Sequence, residues 1–173
     1  WYTNLTGAKL DNAKLHGVYL SGATLTDATA ATADLSGATL AGASLIRTNL
    51  TGANLTTAYL ANANLHKANL TGADLTSAEL AGTGREPTDL TGVNLTNATV
   101  RLANLAGVDL TDANLTGTNF TGATLSRATL TGTTLAGTTL READLTQVDL
   151  SGRYLSRFDL TGANLTGANL NLA

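Results

Sequence analysis

Apolar residues return along this chain every five positions. From Leu5 to Leu170 the multiples of five form 34 slots, and 30 of them hold Leu; Ala30, Arg85, Val100 and Phe120 are the exceptions. Two residues before each slot the side chain is small: 21 are Ala, and nearly all the rest are Thr or Val. Two residues after it Gly fills 17 of the 34 positions. The unit reads A-(N/D/T)-L-(T/S)-G, as in Ala68-Asn69-Leu70-Thr71-Gly72.

A period of five fits neither regular element alone. On an α-helix five residues advance about 500°, so the leucines would scatter around the axis. On a flat strand five is odd, so they would alternate between faces. The chain must turn a corner once per repeat, always in the same sense. The slot and the residue two before it then point inward, and the other three positions face water. Gly two after the slot suits a corner that needs positive φ. Asn12, Asp27, Asn62, Asn97 and Asp112 share that position and tolerate the left-handed region better than most residues.

The A(D/N)LXX units resemble the pentapeptide-repeat family, over essentially the whole chain. The resemblance implies an all-β fold, a right-handed quadrilateral β-helix with four repeats, or 20 residues, per coil. One domain over 1–173 would make eight to nine coils, a rod of roughly 40 Å at ordinary strand spacing. Three sequence combs agree with a period of 20: Tyr19 with Tyr59, Asp89 with Asp109 and Asp149, and Arg47 with Lys67 and Arg127.

The pattern breaks at 82–88. Arg85 takes a leucine slot, where an unpaired interior charge is costly, and Pro87 removes a ladder donor. Removing 84–88 restores a regular unit, Ala81-Gly82-Thr83-Asp89-Leu90. A five-residue loop or bulge is therefore expected here, with Arg85, Glu86 and Pro87 as candidate partner contacts, and it would shift every later residue by one side. Arg153 and Phe158 are the second irregularity, because both stand two before a slot. They read as local bulging near the end, or as shaping a terminal contact surface.

The ends of a solenoid need covering. Trp1 and Tyr2 are candidates at one end; at the other the pattern stops at Leu170-Asn171-Leu172-Ala173. A chain that begins at Trp1 with no Met reads as processed or trimmed. End-to-end homodimers through the C-terminal coil are known in the family the chain resembles, which makes Phe158, Leu170 and Leu172 candidate contacts.

Charge and composition narrow the chemistry. With 10 Lys plus Arg against 13 Asp plus Glu, the net charge of −3 marks no direct nucleic-acid binder. No apolar run is long enough to insert in a membrane. The absence of Cys excludes disulfides and thiolate sites. His16 and His66 fall on different sides, so no shared metal is expected, and no cofactor or catalytic constellation is visible. Net charge is zero over 1–85 and −3 over 86–173. Asp89, Asp109 and Asp149, with Asp112 near them, form a candidate acidic strip for a basic partner.

The leading reading is a non-catalytic binding or scaffold module that presents flat β-faces to a protein partner, in the cytoplasm rather than exported. The rival comes from the resemblance: some members protect bacterial DNA gyrase from quinolones or toxins by imitating duplex DNA. Those tend to have Phe-rich slots and a more acidic surface, whereas this chain has one Phe slot, Phe120. A third reading is a structural domain of a larger or designed protein.

Overall fold

The computed structural model describes residues 3–83, 87–155 and 158–173. The chain is a β-helix solenoid. Parallel bridges join each residue before a slot to the one 20 further on: Asn4 to Thr24, Thr24 to Ser44, Ser44 to Asn64. Four leucine slots therefore pass before the chain lies over itself. We number the sides by their slots: side one holds Leu5, Leu25 and Leu45, side two Leu10 and Leu50, side three Leu15 and Leu35, side four Leu20 and Leu40.

Nearly all described corners close the same way. The slot carbonyl accepts the amide three residues on, as in Thr48 N to Leu45 O at 3.1 Å. Between them the residue two after the slot has φ near +60°, which a type II turn requires at its third position. Among the described residues sixteen glycines meet this need, and so do fifteen others. The expected Asn and Asp are among the fifteen, but so are Thr32, Arg47, Lys67 and Leu102. Coil-to-coil hydrogen bonds then hold residues there that would not choose the conformation, such as Arg47 N to His66 O at 3.0 Å.

Where Asn or Asp stands before a slot, it caps the corner. Its Oδ1 accepts the amide two residues on, and often that residue's hydroxyl: Thr71 N and Oγ1 reach Asn69 Oδ1 at 3.1 and 2.6 Å. This is the physical reason for the (N/D)-L-(T/S) order. Inside, the slot leucines from Leu25 to Leu125 are almost wholly buried, as are the alanines two residues before the slots. Phe120 stands over Val100 on side three, so a large slot residue follows a small one and the volume is conserved. Inward threonines spend their hydroxyls on carbonyls, mostly of the coil before: Thr48 and Thr118 Oγ1 donate to Leu25 O and Leu95 O at 2.8 and 2.7 Å.

The break at 82–88 shifts the register as anticipated. Asn64 pairs with Asp89 and Glu79 with Asn104, a step of 25, and the step returns to 20 at Asp89–Asp109. The frame of the insertion differs from the sequence reading, however. Thr88, not Thr83, is the buried inward residue, so the five extra residues are 83–87. Thr83 is exposed and donates from N and Oγ1 to Asn62 Oδ1 at 3.1 and 2.8 Å. The shift also separates the basic comb. Lys67 continues into Gly92 through Lys67 N to Thr91 O, whereas Arg127 follows Gly107 through Gly107 N to Ser126 O. Arg127 thus stands on a different corner from Arg47 and Lys67.

Late in the rod the ladder opens. Among the described residues no bridge joins Thr129 to Asp149 or Thr134 to Tyr154, while Thr139–Asp159 and Thr124–Asp144 persist on the other two sides. Arg153 turns inward and puts its guanidinium in the gap: Nη1 donates to Thr133 O at 2.7 Å and Nη2 to Leu130 O at 2.6 Å. Thr133 O is the acceptor a regular coil would offer to the Tyr154 amide.

Candidate functional site

The inserted segment and the acidic strip meet in one place. Pro87, Asp89 and Asp109 line a cleft of about 450 Å³ on side one, with Asn62, Asn64 and Thr91. Asp89 and Asp109 are bridge partners in successive coils, so their backbones lie about 4.8 Å apart. Each carboxylate caps its own corner: Asp89 Oδ1 accepts Thr91 N and Oγ1 at 2.9 and 2.7 Å, and Asp109 Oδ1 accepts Thr111 N and Oγ1 at 2.9 and 2.6 Å. Arg85 and Glu86 lie outside the described residues, as do Trp1 and Tyr2.

The other strip residues are more scattered. Thr129 follows Asp109, and Asp149 stands beyond the opened ladder. The Ser151 amide and hydroxyl, followed by Asn169 and the nearby Arg153 charge, hold the Asp149 carboxyl below the ordinary carboxylate range. Asp112 occupies a corner at φ 58°, with its carboxylate over Gly132 in the next coil. Lys67 shares that corner column two coils before it. The structure therefore groups Asp89 and Asp109 with Pro87 and leaves Asp112 and Asp149 to either side.

Sequence reasoning missed a contact at the edge of this cleft. His66 Nδ1 lies 2.6 Å from Thr91 Oγ1, whose hydrogen goes to Asp89. The imidazole must then donate from Nδ1, which leaves Nε2 as its free acceptor. His16, Ser36 and Asp34 repeat the arrangement on side three, at 2.8 and 2.6 Å. In both cases the hydroxyl already donates to its carboxylate, so neither set presents a nucleophile activated by histidine. Among the described residues no three His, Asp or Glu side chains gather in a metal-binding group. No described helix is long and apolar enough to cross a membrane.

At the C-terminal end Leu170 and Leu172 are exposed, and Phe158 is half-buried against the core. Tyr154, which the sequence reading did not single out, is 92% exposed and shares a shallow cleft with Leu155, Leu170 and Ala173.

The model of the pentapeptide repeats matches eight copies, over 1–27, 33–71, 53–83, 88–127, 125–155 and 143–173. The chain belongs to the pentapeptide-repeat family. Among solved structures it is similar to HetL, a pentapeptide repeat protein involved in heterocyst differentiation regulation in the cyanobacterium Nostoc sp. strain PCC 7120. The identity is 36% over 96% of this chain and 73% of HetL, with a TM-score of 0.59. QnrB1, a plasmid-mediated fluoroquinolone resistance protein, shares the fold at 19% identity, over 98% of this chain and 84% of QnrB1, with a TM-score of 0.62. No curated protein sequence matches the chain.

Proposed function

We propose that this pentapeptide-repeat protein is a non-catalytic binding module. In this reading residues 1–173 form one right-handed quadrilateral solenoid of eight to nine coils, which offers side one to a basic segment of a protein partner. The observation that carries the reading is the cleft where Pro87 meets Asp89 and Asp109. It is the place where an inserted segment and two adjacent carboxylates coincide, and loops on rigid scaffolds commonly carry function. The regulatory role named for HetL fits a protein that acts by binding.

The gyrase-mimic reading is weaker. The likeness to QnrB1 reaches only the fold. A duplex mimic needs an extended row of charge, and the column here reads Asn64, Asp89, Asp109, Thr129. Exposed charges more than about 8 Å apart are largely screened at physiological salt. A homodimer through Leu170, Leu172 and Phe158 remains part of the proposal for the C-terminal coil, and the cytoplasm is the compartment it favours.

Asn is the natural probe, because Asn94 and Asn114 cap their corners through Oδ1 just as aspartate does. Asp89→Asn with Asp109→Asn removes two charges and keeps the caps. The variant should melt like the parent yet lose capture of its partner in pull-downs from the source cell. Deleting 83–87 should likewise preserve the solenoid and weaken capture. Undiminished capture by both variants would overturn the assignment, and protection of gyrase in a supercoiling assay would favour the mimic.

A further inference from the structure

The opened ladder near Arg153 leaves main-chain groups unspent. In the preceding coil Leu110 N, Asp112 N and Leu115 N donate to Thr129 O, Thr131 O and Thr134 O at 2.8–2.9 Å. One coil later their counterparts, the amides of Leu130, Gly132 and Leu135, have no backbone acceptor among the described residues. The carbonyls they would have used, those of Asp149, Ser151 and Tyr154, receive no backbone donor there. Arg153 and Phe158 explain the gap, since they put long side chains at inward positions that elsewhere hold mostly Ala, Thr or Val. Two clefts flank Arg153. One, of about 450 Å³, is lined by Arg127, Thr131, Gln147 and Asp149; the other, of about 360 Å³, by Leu135, Tyr154 and Phe158.

We propose that this opened ladder is a docking site for a segment of a partner polypeptide that bends with the corner at Gly132 and is held by main-chain pairing on both sides of it. Its hydrogen-bonding pattern selects the occupant: amide donors line one lip and carbonyl acceptors the other, which suits a peptide backbone that accepts along one edge and donates along the other. A lone anion would meet the carbonyls of Asp149 and Ser151. Charge and shape refine the partner. Arg127 and Arg153 outnumber Asp149 in the first cleft, and the second is largely apolar. The segment carries an acidic residue followed within a few positions by a large apolar one, with no proline between. This site is separate from the cleft at Pro87 and does not depend on it.

A fluorophore-labelled octapeptide with the sequence of residues 109–116 is a suitable probe. It carries acids and leucines, and in the rod Asp109 and Asn114 already pair with Thr129 and Thr134. In the full chain alone, Leu130, Gly132 and Leu135 amides should exchange at least about tenfold faster than those of Leu110, Asp112 and Leu115. The peptide should bind by fluorescence anisotropy and slow exchange at the three open amides. Arg153→Thr with Phe158→Ala should close the ladder, protect those amides and abolish binding. The proposal is overturned if the wild-type amides are already protected or the peptide does not bind. Equal binding to the double variant, or by a peptide N-methylated at alternate amides, would also overturn it. If the double variant does not melt cooperatively, the N-methylated peptide decides.

Discussion

Gly132→Ala should cost more than Gly107→Ala, and the difference should vanish when Asp112 is removed. Both glycines sit at corners, with φ of +70° and +68°. A Cβ at Gly107 would meet nothing within 4 Å, whereas one at Gly132 would overlap the Asp112 carboxylate. Gly107→Ala therefore reports the left-handed backbone alone, about 1–2 kcal/mol. Gly132→Ala adds the cost of driving Asp112 to another rotamer, about 0.5–1.5 kcal/mol. At about 2–4 °C per kcal/mol for a chain of this size, the two should melt a few degrees apart by circular dichroism. In an Asp112→Gly background the Gly132→Ala penalty should fall to that of Gly107→Ala, a coupling of the same 0.5–1.5 kcal/mol. The physical claim is that at this corner the Asp112 side chain leans over the next coil and leaves room there only for Gly. Leu102 does so at Gly122, where an added Cβ would lie 2.7 Å from Leu102 Cδ2. Equal penalties at Gly107 and Gly132, or no coupling to Asp112, would refute it.

Acid should destabilise the rod through its corner caps. Asp34 and Asp159 are held below the ordinary value of 3.8, chiefly by the Ser36 and Thr161 hydroxyls and amides; Asp27 is held down chiefly by its hydrogen bonds from Arg47. A carboxylate whose folded value is depressed contributes fully above its unfolded value and loses that contribution as pH falls through the folded one. Melting temperature should be level near neutrality and drop below about pH 4. The drop should be shallower in Asp34→Asn with Asp159→Asn, and an unchanged slope would contradict the caps. Leu65→Lys should abolish folding, because Leu65 is wholly buried and a charge there has no partner, while Thr116→Lys, at the exposed or half-exposed turn of a repeat, should shift the melt by no more than about 0.5 kcal/mol. A soluble, cooperatively melting Leu65→Lys protein would place the slot on the wrong face.

The five-residue period was enough to send Leu and Ala inward, because parity leaves no other way to bury both. The four-slot turn was less visible: it followed from the family resemblance, and the pairing of residues 20 apart supplies it directly. The frame of the insertion was not legible at all. Thr83 and Thr88 are the same residue five apart, and either completes a regular unit. The choice depends on Asn62, whose side chain takes Thr83 at the surface while its amide donates to the buried Thr88 hydroxyl at 2.9 Å. That contact spans one coil and leaves no trace in local sequence. The same holds for the basic comb, which was regular at 20 only while the extra residues went uncounted. Arg153 shows the limit most clearly. An arginine at an inward position reads as local bulging near the end, since a buried guanidinium normally has nowhere to go. Here it finds Thr133 O and Leu130 O, and Leu130 O occupies the place in its coil that Leu25 O and Leu95 O hold for the inward Thr48 and Thr118. The longer side chain reaches that kind of acceptor only across a wider gap, so satisfying the arginine and opening the ladder are one event.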